Sequence, residues 1–444
     1  MEIPDEYKGK YFYHFTHIEN LESILENGFL STNQKEALKL NHINVASENI
    51  QTRRSSMDVT CAPNGKVHDY VPFYLSSTNP MVLAVVNGKN VDQIDLIFFA
   101  IPIKKLTEES VVYTNASANT IIPPDFFNNP KDLDQLNWEA IDSRKWSNKD
   151  DDWKHERMAE VLVNGSVPID WIEKVIVWNK YRKDRVIKTF ENYGLNAPEI
   201  KYSLNGRHFY YTKFAIGREN ETLVTGPKHL KSLLIDVIKK IKSNRETNHE
   251  YSYDSLKDLL FAIKEDFCVI PELKGIYELE TINDVHENNV SDHTLKVVKN
   301  LKKNQYYKDL NKRRKKIVKL AAYLHDIGKG PKKKWRDGKQ PAYPDHPVDS
   351  LLMLQRILSE DIKDIKNSEI KIICKLVGYH DLLGDIVGKG RSKSQLFSII
   401  ENEKELMMLI ALSMADVQAI NTFWYNDLKH AIPDIIKEVK ENLA

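Results

Sequence analysis

Apolar positions along this chain follow two different rhythms. In the first half they come in short runs. Leu21, Ile24 and Leu25 share one helical face, and Gly28 just beyond them is a natural helix stop. Runs of strand type follow at Tyr70 to Leu75, Ile94 to Ile103 and Val175 to Trp178. The second is apolar on both faces, through Leu96, Ile97, Phe98 and Phe99, and predicts a central strand. From about His229 helical periods dominate almost to the end, as in the stretch from His229 to Ile238. The polar stretch from Lys242 to His249 reads as a linker or exposed turn. These rhythms predict an α+β domain at residues 1–215, a helical connector at 216–265 and an all-α domain at 266–444. No internal repeat or low-complexity segment interrupts them.

Composition narrows the picture. A chain of 444 residues suits two or three domains, each large enough to bury a core without disulfides. With 64 basic and 63 acidic residues, net charge alone points to no anionic partner, so a nucleic-acid face has to come from local clustering. The three cysteines, Cys61, Cys268 and Cys374, lie far apart without a CxxC pair. That excludes a disulfide framework and a cysteine zinc ribbon and suits a reducing compartment. The first residues are acidic and polar rather than a signal peptide, and no apolar run approaches the roughly 20 residues of a membrane helix. The expectation is a soluble, cytoplasmic protein with no membrane partner.

Three segments of the first half carry candidate chemistry. In Tyr13-His14-Phe15-Thr16-His17-Ile18-Glu19, Thr16 and Glu19 stand at capping-box spacing, which predicts a helix start capped by Thr16. Next come the arginine pair Arg53-Arg54 and the aromatic stretch His68-Asp69-Tyr70-Val71-Pro72-Phe73-Tyr74. In His155-Glu156-Arg157-Met158-Ala159-Glu160-Val161, Glu160 stands where a charged stretch passes into an apolar run. A carboxylate there is costly to bury unless it has a partner or a job.

In this order and spacing the segments resemble the DarT family of DNA ADP-ribosyltransferase toxins, over about residues 11–213. Leu136-Asn137-Trp138-Glu139-Ala140-Ile141 and the closing run His208-Phe209-Tyr210-Tyr211 belong to the resemblance. It implies an ADP-ribosyltransferase-like mixed fold that consumes NAD and modifies a base of single-stranded DNA, typically thymine. It also implies an inhibitor or antitoxin protein as partner. Residue by residue, His14, Phe15 and Thr16 match the family's nicotinamide-binding segment, Arg54 its catalytic arginine and Glu160 its catalytic glutamate. The stretch from Phe73 to Met81 departs from the family by lacking an arginine ahead of its Ser-Pro-Met part. Tyr70, Phe73 and Tyr74 serve either as stacking platforms for bases or as core.

The second half contains Leu324-His325-Asp326-Ile327-Gly328-Lys329, an adjacent His–Asp pair at the end of an apolar helix. Such a pair can offer one nitrogen and one oxygen to a divalent ion. His293 lies upstream, and His346, His380 and Asp416 lie downstream. This order resembles the HD superfamily of metal-dependent phosphohydrolases, over about residues 266–420. The resemblance implies a first ligand set of His293, His325, Asp326 and Asp416, with His346 and His380 as the extra histidines of two-metal members. Lys329 stands where it could meet a phosphate. Two basic runs, Lys312 to Lys316 and Lys332 to Arg336, flank the site and suggest a nucleic-acid footprint.

The combined expectation is a toxin-like enzyme with an appended HD domain of phosphohydrolase or regulatory role. Its front half transfers ADP-ribose from NAD to single-stranded DNA. The alternative makes the HD half the main activity, as a metal-dependent nuclease or nucleotide phosphohydrolase whose N-terminal half recognises nucleic acid.

Overall fold

The computed structural model describes residues 2–43, 45, 48–143, 150–202, 209–282 and 289–443. His208 of the closing aromatic run lies outside them. The chain forms two compact units, one of Met1–Asn87 with Val91–Val224, the other of Gly88–Asn90 with Thr225–Ala444.

The first unit is built on a mixed eight-stranded sheet. Its strands are β1 (Tyr11–His17), β2 (Tyr70–Tyr74), β3 (Leu96–Pro102), β4 (Val111–Thr114), β5 (Phe126–Phe127), β6 (Glu160–Asn164), β7 (Lys174–Val177) and β8 (Glu199–Tyr202). They lie in the order β8-β7-β3-β1-β2-β6-β4-β5. Only the β7–β8 pair is parallel. The doubly apolar run behaves as expected, because β3 is central and nearly all of its residues are buried. Helix α1 (Leu21–Asn27) buries Leu21, Ile24 and Leu25 and stops at Gly28, whose φ is 74°. A Cβ there would lie 2.7 Å from the Val167 carbonyl oxygen, so both conformation and space require glycine.

One face of the sheet carries a continuous core that includes Phe12, Phe29, Phe73, Phe99, Val161 and Val163. The other side holds two separate clusters. Leu96, Phe98, Ile176 and Tyr210 form one, and Met57, Val67, Tyr70 and Leu162 form the other. The division follows from a split in the sheet. Strand β1 pairs with β3 along its whole length but with β2 only at Tyr13–Tyr74. Pro72 has no N–H to give toward β1, and its carbonyl instead accepts a bond from the His14 ring (Nδ1···O 2.8 Å). The helix start expected at Thr16 is displaced. Thr16 is still strand, and the short 3₁₀ turn Ile18–Asn20 is capped by His17, whose ring accepts the Glu19 N–H.

The second unit is helical. Its principal helices are α2 (Pro227–Thr247), α3 (Val290–Leu301), α4 (Lys312–Leu324), α5 (His346–Arg356), α6 (Asn367–Gly378), α7 (Glu403–Ile420) and α8 (Thr422–Leu443). Helix α7 is the axis: it is buried from Met408 to Asp416 and packs against α3, α4 and α8. Most of the stretch expected as a linker, 242–249, is the C-terminal end of α2. Arg245 ties it down by donating to the carbonyls of Leu358, Ile362 and Lys363 at 2.7–2.8 Å. Among the described residues no helix is long and apolar enough to cross a membrane.

Candidate active sites

At the split in the sheet, Tyr74 on β2 stands directly opposite Glu160 on β6. Glu160 is fully buried, with an exposure of 0 %. Arg54, on the helix Glu48–Ser56, reaches it with one nitrogen: Nη1 lies 2.9 Å from both carboxylate oxygens. The Ala118 N–H donates to Oε1 at 2.9 Å, and the Glu160 N–H is held by the Thr114 hydroxyl at 3.0 Å. Burial opposes charge on Arg54, but the adjacent carboxylate outweighs it and holds the guanidinium above its ordinary pKa. Burial and the same carboxylate push the Tyr74 phenol well up, so it stays protonated. Residue type leaves no trace of a main-chain donor such as the Ala118 amide, and Thr114, which accepts through its hydroxyl, stands in no motif that points to the site.

His14 and Thr16, alternate residues of β1, project to one face and Phe15 to the other. The His14 ring meets Phe29 and Phe73 edge-on. Burial lowers its pKa from 6.5 to about 4, so the ring is neutral at neutral pH. Because the Pro72 carbonyl can only accept, Nδ1 carries the proton and Nε2 presents a lone pair. Phe15 stacks on Tyr74 at 6.1 Å. Tyr70 and Phe73, with exposures of 1 % and 0 %, belong to the core, so of the three candidate stacking aromatics only Tyr74 remains beside the carboxylate. Arg157, unassigned from sequence, is fully buried and donates to the Thr78 carbonyl at 2.9 Å within the stretch that lacks the family's arginine.

In the second unit the six candidate ligands, from α3, the end of α4, α5, α6 with the turn after it, and α7, converge on Asp326. Its Oδ2 lies 3.4 Å from His325 Nε2 and 3.6 Å from His293 Nε2. Its Oδ1 lies 3.1 Å from His346 Nε2 and 3.9 Å from His380 Nε2. Asp416 Oδ1 completes the first group, 2.9 Å from His293 and 3.7 Å from His325. The Nδ1 atoms of His325, His346 and His380 each bond a main-chain carbonyl, of Ala322, Tyr343 and Val377, at 2.8 Å. In the neutral rings this leaves each Nε2 as a bare lone pair aimed inward. Two such nitrogens, His346 and His380, face each other at 3.1 Å; His325 Nε2 lies 3.4 Å from His293 Nε2, which is itself within hydrogen-bond distance of the Asp416 carboxylate. Lone pairs converging in this way repel unless a proton or a cation sits among them. The spacings equal the roughly 3.0–3.4 Å between neighbouring nitrogens on one ion with bonds near 2.1 Å. Asp326 Oδ1, buried without a hydrogen-bond donor, points to the same conclusion. The donor set therefore fits divalent metal, with Asp326 placed to bridge two positions.

Gly328 makes this convergence possible. A Cβ there would lie 2.2 Å from the His346 carbonyl oxygen and 2.4 Å from the Ser350 nitrogen, so α5 could not approach. Lys329, the candidate phosphate contact, has its ammonium on Asp326 Oδ2 at 2.7 Å. The two basic runs are partly structural. Arg313 pairs with Glu369 and Asp364, and Lys334 donates to Asp349 and to the Gly328 carbonyl, whereas Lys332, Lys333 and Arg336 are exposed.

Comparison with known proteins agrees with this division of the chain. Residues 13–211 match the family described as ssDNA thymidine ADP-ribosyltransferase, DarT, and residues 290–411 match the HD domain. A DNA ADP-ribosyl transferase of Thermus sp. strain 2.9 is 31% identical over 193 residues, covering 41% of this chain and 87% of the relative. One from Thermus aquaticus is 28% identical over 207 residues, covering 45% and 89%. Among solved structures, Thermus sp. 2.9 DarT in complex with ADP-ribosylated ssDNA is 26% identical. The match covers 48% of this chain and 99% of that one, with a TM-score of 0.42. Over its N-terminal half the chain belongs to the DarT family of single-stranded-DNA thymidine ADP-ribosyltransferases, and its C-terminal half contains an HD domain.

Proposed function

We propose that residues 1–215 transfer ADP-ribose from NAD to thymine in single-stranded DNA, as a cytoplasmic toxin held in check by an antitoxin protein. Family membership and the Arg54–Glu160 pair at the split of the sheet carry this reading. In the reaction the bond between nicotinamide and ribose breaks, nicotinamide leaves with the bonding electrons, and a base nitrogen takes its place. The sugar gains oxocarbenium character on the way, as in glycoside cleavage. Glu160 Oε1 already accepts from both Arg54 and Ala118, whereas Oε2 accepts from Arg54 alone. Oε2 thus keeps a free lone pair for a ribose hydroxyl and for the proton released by the incoming base. Its negative charge, in a site closed to water, stabilises the developing cation. Arg54 fixes the carboxylate and offers its other nitrogens to the pyrophosphate or the base. His14 and Thr16 orient the nucleotide, and Phe15 and Tyr74 give a flat wall to the split.

The C-terminal half is proposed as a metal-dependent phosphohydrolase domain. His293, His325, Asp326 and Asp416 would hold one divalent ion, and Asp326, His346 and His380 a second. Bound there, the ions would activate water and polarise a phosphate ester. Lys329, whose ammonium lies on Asp326 Oδ2, would be the residue that meets a substrate phosphate.

The test is transfer of label from NAD to oligonucleotides that carry one base type each. Labelling confined to the thymine strand supports the reading. Labelling of protein or of double-stranded DNA in its place would overturn it.

A further inference from the structure

Asn20 is buried one turn beyond the end of β1, at 8 % exposure, and its side chain makes three hydrogen bonds. Oδ1 accepts the Ile43 N–H at 2.8 Å. Nδ2 donates to the Ile43 carbonyl at 3.0 Å and to the Thr16 hydroxyl at 2.9 Å. The two main-chain bonds fix the orientation of the amide, because an N–H must meet the oxygen and a carbonyl must meet the nitrogen. The third bond then has only one possible direction: Thr16 Oγ1 accepts. Its own proton is left to point elsewhere. Two residues earlier on the same face of β1, His14 has the opposite polarity, with Nε2 an acceptor. The strand therefore displays an acceptor and a donor side by side, a pattern that complements groups holding both, such as a carboxamide or a ribose hydroxyl.

We propose that Asn20 is a positioning residue for the nucleotide, fixing Thr16 as a donor to bound NAD and tying the segment at Ile43 to the same point. The proposal rests on the transferase reading of this half. Asn20 itself touches no substrate, and its effect passes through the direction of one hydroxyl proton.

The substitution Asn20→Asp separates this role from a merely structural one. The carboxylate is the same shape and keeps the bond from the Ile43 N–H, but it can only accept, so the bond to the Ile43 carbonyl is lost along with the one to Thr16. It draws the Thr16 proton to itself and away from the ligand, so the donor becomes the wrong group facing NAD. Calorimetric titration of the full chain with NAD, without DNA, should show Asn20→Asp binding about tenfold more weakly or worse. Thr16→Val should also weaken binding, and the double variant should lose less than the sum of the two single losses, since both remove the same proton. Thr16→Ser, which keeps the hydroxyl, should bind more tightly than Thr16→Val. Equal NAD affinity in wild type and Asn20→Asp would overturn the proposal while leaving the transferase reading intact. Additive losses in the double variant would overturn it as well. A wild-type chain that does not bind NAD would overturn the transferase reading and the proposal with it.

Discussion

Arg54 Nη1 lies 2.9 Å from both oxygens of Glu160, although the two residues are 106 positions apart in the chain. Both side chains are buried, at 8 % and 1 % exposure, so each is the other's main charge partner in a site closed to water. Removing one partner of such a pair leaves the other charge uncompensated, at a cost of about 3–5 kcal/mol. Glu160→Ala should therefore lower the melting temperature as well as abolish transfer. Glu160→Gln, which keeps acceptors for Arg54 and Ala118 on one oxygen, should melt closer to the wild type and still lose at least about 100-fold in rate. Thermal melts paired with initial rates check both, and a Glu160→Gln variant of near-normal rate would remove the carboxylate from the chemistry.

His14 sets a pH expectation. Its folded pKa of about 4 lies below the ordinary 6.5, so between these values the unfolded chain binds a proton that the folded chain does not. This residue's contribution to stability is therefore complete above about pH 6.5 and is lost as pH falls toward 4. Urea midpoints should fall more steeply from pH 7 to 4.5 for the wild type than for His14→Gln. NAD affinity should stay level down to about pH 5.5. A loss of affinity with its midpoint at 6.5, absent in His14→Gln, would mean that the ring is not held neutral.

The metal site is tested by stoichiometry. Two ions per chain are expected after loading and desalting, measured by plasma mass spectrometry. His380→Ala should leave one and Asp326→Ala none, because Asp326 faces both groups, with Oδ2 toward His325 and Oδ1 toward His346. Saturating metal at about 100 times its dissociation constant should stabilise the wild type by about 2.7 kcal/mol. Unchanged metal content in Asp326→Ala would refute the bridging arrangement.

Gly328→Ala asks whether the close approach of α5 is required. Its Cβ would meet main-chain atoms at 2.2 and 2.4 Å, which cannot move aside as a side-chain tip could. The substitution should cost about 3 kcal/mol and displace His346 from the site. A Gly328→Ala protein with wild-type melting and full metal content would contradict the packing described.

Much of this was legible in the sequence because the signals were local or categorical. The all-apolar run at Leu96–Phe99 pointed to a central strand, and α1 was readable from three apolar residues and one glycine. Arg54 and Glu160 stood out through their motifs, as did His325 and Asp326. What sequence could not supply was tertiary. The expected cap at Thr16 gave way to His17 because pairing with β3 carries the strand on through Thr16 and His17. The polar stretch at 242–249 looked like a linker, yet Arg245 meets three carbonyls from residues more than a hundred positions away. Tyr70 and Phe73 could have stacked on bases as readily as filled a core. Their place was settled by which face of β2 each occupies and what packs there. The roles of Thr114, the Ala118 amide and Asn20 depend on direction and distance, which composition and spacing do not encode.

The central claim is that this chain uses Glu160 to attach ADP-ribose to thymine in single-stranded DNA. The most direct measurement is intact mass spectrometry of a single-stranded oligonucleotide with one thymine, incubated with NAD and either wild-type or Glu160→Gln protein. The account predicts one added ADP-ribose with the wild type and none with the variant. An unmodified oligonucleotide with the wild type, or equal adduct with both proteins, would contradict it.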